Sequence, residues 1–279
     1  MARIQSLNIL LDTTGKDYLA ELYGKVIDGV NKALVSAKIK NTDLSGNPEA
    51  GTVEAKRFVN ATSKAYGTAR AAGAGDAVKA KPVTVAINQD KEIVEELEQK
   101  DVSLYGVDGI LERRSANHIQ RMASELDTAF FAEAATAGTA LTITATEPEE
   151  EFEEAIQTLE VVKNDFVDGV PRSMMSLVCA PAFYGKIRTY LDKVTVTGVA
   201  GEDDEFNAYH GVKCFSSVHL PNGVDYIVMA DGSVAQPVMS DQYTAEKIPL
   251  SNAYGVELFY HYGTKAVTPD LIFKKTSGN

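Results

Sequence analysis

Residues 108–138 read DGILERRSANHIQRMASELDTAFFAEAATAG. Their apolar positions, Leu111, Ile119, Met122, Leu126, Ala129, Phe130 and Ala134, keep to one stripe on a 3.6-residue period. Asp108 is placed to cap the first free N–H groups, Gly138 follows the last apolar position, and no proline interrupts. The stretch predicts an amphipathic helix of roughly eight turns, about 45 Å long at 1.5 Å per residue. A helix of that length needs packing along its whole stripe, so the flanking segments are read for what covers it.

Composition sets the frame. The chain has 279 residues, 44% of them hydrophobic and 24% charged, which is ordinary for a globular protein and unlike a disordered one. The N-terminus, MARIQSLNILLD, lacks the basic start, apolar run and cleavage site of a signal peptide. No apolar run approaches the roughly 18 residues of a membrane-spanning helix, so a reduced, cytoplasmic setting is expected. The net charge of −12 is unevenly spread: residues 1 to 91 carry 13 Lys/Arg and 9 Asp/Glu, leaving 14 and 30 for the remainder. Residues 56 to 81 hold six basic residues and one acid, whereas residues 147 to 168 hold one basic residue and nine acids. Solvated faces or a paired interface account equally well for these runs. The acidic body argues against sequence-specific DNA binding.

Before the central helix, residues 16 to 38 read as a first amphipathic helix with Leu19, Leu22, Val26, Val30, Leu34 and Ala37 on one face, capped within Thr14 to Asp17. The turn cluster NTDLSGNPEAG ends it. Residues 52 to 88 form a two-stranded excursion around a Gly/Ala-rich centre, YGTARAAGAGDAV. An isolated hairpin is marginal in water, and the scarcity of apolar anchors points to a polar contact with another subunit. Residues 89 to 107 make a short helix or strand transition into the central helix.

After the helix, TALTITATEP predicts a strand, and Thr146 with Glu149 a capping box with Pro148 in the first turn. The helix that follows is expected to bury Phe152, Ile156, Leu159, Val162 and Phe166 and to end at Asp168-Gly169. SMMSLVCA predicts a buried strand and PAFYGKIRTYL a helix with Phe183, Ile187 and Leu191 inward, so this part is an α/β subdomain. Asp231-Gly232 between two strand patterns predicts a hairpin, and alternation through Tyr254, Val256, Leu258, Tyr260 and Tyr262 predicts a strand pair closing the core.

Sequence motifs for chemistry are absent. His118, His210, His219 and His261 are scattered, and neither HExxH, GxSxG nor a Walker-type loop occurs. Gly73-Ala74-Gly75 reads as a flexible tip, and Glu202 to Glu205 as a solvated acidic loop lacking the spaced ligands of a calcium site. Cys179 and Cys214 read as inert core thiols. A rival reading as a hydrolase or metal enzyme would need a nucleophile–base pair, and none is visible. No cofactor, metal or catalytic residue is expected.

The order of these elements, with VTVAINQDKEIVEELEQKD, ELDTAFFAEAA, SLVCAPAFYGKIRTYLD, HGVKCFSSVHLP and the DGS turn, resembles the major capsid protein of tailed phages, of the Hong Kong 97-type fold. The resemblance implies an α+β fold with an N-arm at residues 1–45, an extended β-hairpin loop at 46–90, a peripheral domain at 91–145 and 251–279 built on the spine helix, and an axial domain at 146–250. It implies a non-enzymatic virion protein, assembled in the host cytoplasm, that forms pentamers and hexamers of an icosahedral shell around double-stranded DNA. Portal, scaffolding and decoration proteins are further candidate partners; no membrane is. An encapsulin-like bacterial compartment, which shares the fold, is the alternative. The arm begins almost at Met1, which points away from a cleaved scaffolding segment. Covalent crosslinking would fall to Lys64, Lys79 or Lys81, for which no matching acceptor is evident. Candidate inter-subunit contacts are the basic Lys56, Arg57, Lys64 and Arg70 against the acidic Glu150, Glu151 and Glu154 of another copy.

Overall fold

The computed structural model describes residues 6–67, 77–193 and 208–277. The glycine tip around Gly73, Arg70 and the acidic loop at Glu202 to Glu205 lie outside the described residues. In chain order the elements are α1 (Thr13–Ala33), β1 (Thr52–Phe58), β2 (Ala80–Ala86), β3 (Gln89–Leu97), α2 (Gln99–Ala137), β4 (Thr139–Ala140), α3 (Pro148–Glu160), β5 (Met175–Cys179) and α4 (Pro181–Lys193). There follow β6 (Ala208–Tyr209), β7 (Val212–Ser216), β8 (Val224–Ala230), β9 (Val234–Ala235), β10 (Val238–Ser240), β11 (Thr244–Lys247), β12 (Tyr254–Tyr262), β13 (Lys265–Ala266) and β14 (Ile272–Thr276). Two compact units divide the chain.

The first unit comprises Met1–Lys38, Ile87–Ala129 and Pro237–Gly263. Gly106, at φ +78° and ψ 170°, breaks α2 into a short lead-in and the long helix anticipated from Asp108. Glycine serves there because the left-handed region strains any residue with a Cβ. Beyond the break, Leu111, Met122 and Leu126 are buried against Leu19, Leu22, Val26 and Val30 of α1 and the inner face of a four-stranded sheet. In that sheet β12 is central, antiparallel to β3 on one side and to β10 and β11 on the other. Its burial alternates residue by residue, with Tyr254, Val256, Leu258, Tyr260 and Tyr262 inward, as the period-two pattern requires. The segment from 89 is thus a nine-residue strand before it is a helix.

Asp127 and His118 are buried polar side chains on α2. Asp127 accepts the N–H groups of Val35 at 3.1 Å and Ser36 at 3.0 Å, fixing the chain as it leaves α1. His118 Nδ1 lies 2.6 Å from the Tyr243 hydroxyl and Nε2 lies 3.3 Å from Glu95, which Arg114 also grips. The Arg114 guanidinium holds the Glu95 carboxyl below the usual range, and burial pushes the His118 imidazole down.

The second unit comprises Ile39–Ala86, Phe130–Gln236 and Thr264–Asn279. Its six-stranded sheet runs β4-β14-β8-β5-β7-β6, parallel at β4–β14 and β5–β7 and antiparallel elsewhere. Helices α3 and α4 bury Phe152, Ile156, Leu159, Phe183 and Ile187 in one cluster with Leu177, Tyr226 and Val228 of the sheet. Phe152 meets Tyr226 edge-on at 5.2 Å, a favoured geometry for aromatic pairs. Cys179 and Cys214, both buried and unpaired on β5 and β7, carry thiols raised by burial, Cys214 to about 12. They are inert packing groups.

Several expectations are corrected. Only Thr139–Ala140 of the TALTITATEP segment is strand, because Glu154 of α3 supplies acceptors to the Thr144 and Ala145 N–H groups in place of a neighbouring strand. No capping box forms: Glu147 is the N-cap, without a side-chain bond, and Pro148 opens the helix. Helix α3 stops at Glu160, short of Asp168, since the Gly169 and Val170 N–H groups return to the Val162 and Glu160 carbonyls. Val162 and Phe166 therefore lie beyond it. Asp231-Gly232 does turn the chain, but β8 and β9 belong to different sheets, because β5 and β14 already occupy both edges of β8. The closing strands separate likewise, β12 into the first unit and β14 into the second, so residues 264–279 leave the group that holds β12.

Asp127→Ala strands two N–H groups at the end of α1 and is expected to cost about 1–3 kcal/mol. The check is a lower urea midpoint with an unchanged slope, with Asp127→Asn losing less.

Candidate assembly interface

The hairpin of β1 and β2 pairs from Thr52↔Ala86 to Phe58↔Ala80. Alternation puts Val53, Ala55 and Val85 on one face, where they are buried with Ala235 and Val267 in a small apolar cluster. This corrects the expectation that the excursion finds no anchor on its own chain. The scarcity of apolar side chains holds for its outer part, not for its base.

Arg57 completes the anchor. Its Nη1 and Nη2 donate to the two carboxylate oxygens of Asp270 at 2.6 and 2.8 Å, and its guanidinium stacks 4.2 Å from the centre of the Phe166 ring. Asn164 also donates to Asp270, while its own Oδ1 accepts from the Phe166 and Val167 N–H groups. Burial opposes ionisation of Asp270, but the Arg57 hydrogen bonds and charge outweigh it and leave the carboxyl below its ordinary range. The Arg57 side chain is only 13% exposed, so the pair is a planar, partly desolvated clamp. One more tie, Asn60 N–H to the Asp165 carbonyl at 2.9 Å, holds the chain as it leaves β1.

Beyond these ties the character changes. Phe58, Val59, Tyr66 and Val78 are exposed large apolar side chains, Tyr66 at 91% and Val78 at 87%. Lys56 is exposed on β1 and Lys64 in the irregular segment that follows it. The result is a hairpin with a fixed root whose described residues beyond Phe58 are exposed.

The acidic helix α3 is only partly available to a neighbour. Glu153 and Glu160 share Arg172, with an Nη2 to Glu153 distance of 2.6 Å, and Glu153 also meets His210 Nδ1 at 2.9 Å. The Arg172 hydrogen bonds, against a burial penalty, pull the Glu153 carboxyl from 4.5 to about 2. Glu154 is drawn down by the Ala145 and Thr144 N–H groups that it accepts. Glu150 stays exposed, and Glu151 is half-buried, its carboxyl pushed up by desolvation. Among the described residues, no ion pair joins Lys56 or Arg57 to Glu150, Glu151 or Glu154. Of the expected contact residues, Arg57 and Glu154 are engaged within the chain. Asp270, Asn164 and Phe166 were not anticipated; the one available signal was the Asn-Asp-Phe turn pattern inside a segment read as helix.

Arg57→Ala is expected to cost about 1–3 kcal/mol and to raise protease cleavage between residues 59 and 79 relative to the rest of the chain. Glu153 has a depressed folded-state pKa. Its stabilisation is complete above pH 4.5 and drains away as pH falls toward about 2. Glu153→Gln should therefore remove about 1–3 kcal/mol at pH 7 and flatten the stability curve across that window in acid titration followed by circular dichroism.

No family model and no curated relative matches the chain. Solved structures do. A structure of Mycobacterium phage Che8 matches with a TM-score of 0.59 at 20% identity, covering 83% of this chain and 85% of that one. The capsid structure of the cyanophage P-SCSP1u matches at 0.62 and 14% identity, covering 86% of each. A virus-like particle from Pyrococcus furiosus matches at 0.57 and 13% identity, covering 92% of this chain and 99% of that one. Shared across most of the chain, with its long helix, two-stranded hairpin and mixed sheet, this architecture is the Hong Kong 97-type capsid fold.

Proposed function

We propose that the chain is a major capsid protein whose copies assemble into pentamers and hexamers of an icosahedral shell enclosing phage double-stranded DNA. The observation that carries this reading is the hairpin arm: rooted by Val53, Ala55, Val85 and the Arg57–Asp270 clamp, yet bearing exposed Phe58, Val59, Tyr66 and Val78. Exposed large apolar side chains are a liability in a monomer and an asset where a second copy covers them. The likeness to capsid structures supports the same conclusion. Portal, scaffolding and decoration proteins are further partners in this reading, and the location is the virion, after assembly in the host cytoplasm. The work is done by interfaces, without a catalytic centre.

A second reading, a compartment shell holding proteins instead of a genome, is favoured by the virus-like particle from Pyrococcus furiosus, matched over 99% of its length. Nuclease protection of the particle contents separates the two.

Electrostatic pairing between copies falls to Lys56, Lys64 and Arg70 on the arm, with Glu150 and Glu151 on α3 of a neighbour. Each exposed pair contributes about 0–1 kcal/mol, and symmetry repeats it at every contact. Purified protein is expected to form particles by light scattering and electron microscopy, with yield falling as salt rises toward about 1 M. A species that stays monomeric at every concentration and salt tested sinks the shell reading. A yield indifferent to salt and to Lys56→Glu sinks the pairing alone.

A further inference from the structure

The turn joining β11 and β12 is built against its own comfort. Ile248 donates its N–H to the Ala253 carbonyl at 3.1 Å, and Ser251 donates to the Ile248 carbonyl at 3.2 Å. At the apex Leu250 sits at φ +60°, in the left-handed region that glycine and asparagine tolerate and a branched apolar side chain does not. Its side chain is fully exposed. Strain and exposure coincide on one residue, and nothing in the described chain repays either.

The same unit holds a hole of matching size. The turn Leu7–Leu11 crosses the start of α1 so closely that a Cβ on Gly15 would lie 2.0 Å from the Ile9 carbonyl oxygen. Ile9, Leu10, Tyr18 and Val107 then enclose an open pocket of about 140 Å³, bordered by Thr14. Tyr18 donates its hydroxyl to the Asp108 carbonyl at 3.1 Å, so the ring, not the polar tip, faces inward. An enclosed apolar cavity of about 150 Å³ accepts benzene, and a leucine side chain is smaller, so size admits it here.

Charge agrees with shape. Exposed Asp108 lines the pocket, and Asp108 with Glu112 acts beside burial to raise the Tyr18 hydroxyl pKa. The hairpin carries exposed Lys247 three positions before the apex, with Glu246 pointing to the opposite face of its strand. Strand β11 itself borders the Leu7–Leu11 turn, so knob and hole belong to the same region of the first unit. Leu250 does not fill its own chain's pocket, since it is fully exposed.

We propose that Leu250 of one copy inserts into the pocket between the N-terminal turn, α1 and α2 of a neighbouring copy, with Lys247 against the acidic rim. The contact is knob to hole, between Leu250 of one copy and the pocket of the next. It rests on the self-assembly reading and adds to it a defined apolar lock separate from the β1–β2 arm.

The test mixes two single variants, Leu250→Cys and a size-tagged Thr14→Cys, under mild oxidation. Native Cys179 and Cys214 are buried, so background crosslinking is low. A heterodimer band on a non-reducing gel, absent from either variant alone, is expected. Leu250→Asn, which suits the left-handed turn, should keep or raise the thermal midpoint of the subunit while lowering particle yield about tenfold. Particles without the heterodimer band, or Leu250→Asn assembling like the parent protein, overturn the lock and leave the shell reading intact. A heterodimer band without particles supports the lock and overturns the shell.

Discussion

An α-helix that runs unbroken from residue 107 to 137 has far more apolar stripe than one neighbour can cover, and isolated helices in water gain little from propensity alone. The chain answers by bringing several distant segments to that stripe. Helix α1 and strands β3 and β12 cover Leu111, Met122 and Leu126, while Phe130, Phe131 and Ala134 are buried further along. The buried polar groups on the same helix specify where those segments sit. Asp127 takes the N–H groups that end α1, and His118 reaches Tyr243 just before β11. Apolar area supplies the drive, and these hydrogen bonds select one arrangement, because a misplaced segment would leave a buried carboxylate or imidazole without a partner.

Periodicity made much of this legible in advance. The stripe of α2, the inward face of α1, the all-buried β5 and the alternation of β12 are each local patterns whose physics is written within a dozen residues. What could not be read was which strand pairs with which. Strands β8 and β9 flank a good turn dipeptide, yet each hydrogen-bonds elsewhere, because β5 and β14 reach β8 from far along the chain. The end of α3 failed for a related reason. Val162 and Phe166 continue the helical spacing, but the Gly169 and Val170 N–H groups capture the carbonyls at the helix end, and Asn164 fixes the turn between.

The candidate contact residues were legible in charge but not in partner. Counting signs located a basic arm and an acidic helix correctly, since net charge is a property of composition. It could not reveal that Arg57 is taken by Asp270, 213 residues away, or that Glu154 is spent on the backbone before its own helix. A guanidinium held by a carboxylate on one edge and a phenyl ring on its face has little left to offer a second copy. Glu150, exposed on the same helix, and Glu151, half-buried beside it, are the expected acidic contacts that the proposed assembly keeps.

The clamp at the root of the arm bears on assembly more than an intermolecular salt bridge at the same place would. A segment that must be ordered on docking gives up about 1–2 kcal/mol per residue in backbone entropy, and exposed charge pairs do not offset that. Fixing Val53, Ala55, Val85 and Arg57 on the chain's own body orders the strands during folding, when hydrophobic burial and the Asp270 pair cover the cost. In the proposed shell, the described residues just beyond Phe58 are those left for contact between copies. Among them, exposed Val59, Tyr66 and Val78 are side chains whose burial rewards that contact. In the proposed shell, a pre-ordered root converts a weak, entropically expensive contact into a directed one, in the way preorganisation raises affinity elsewhere.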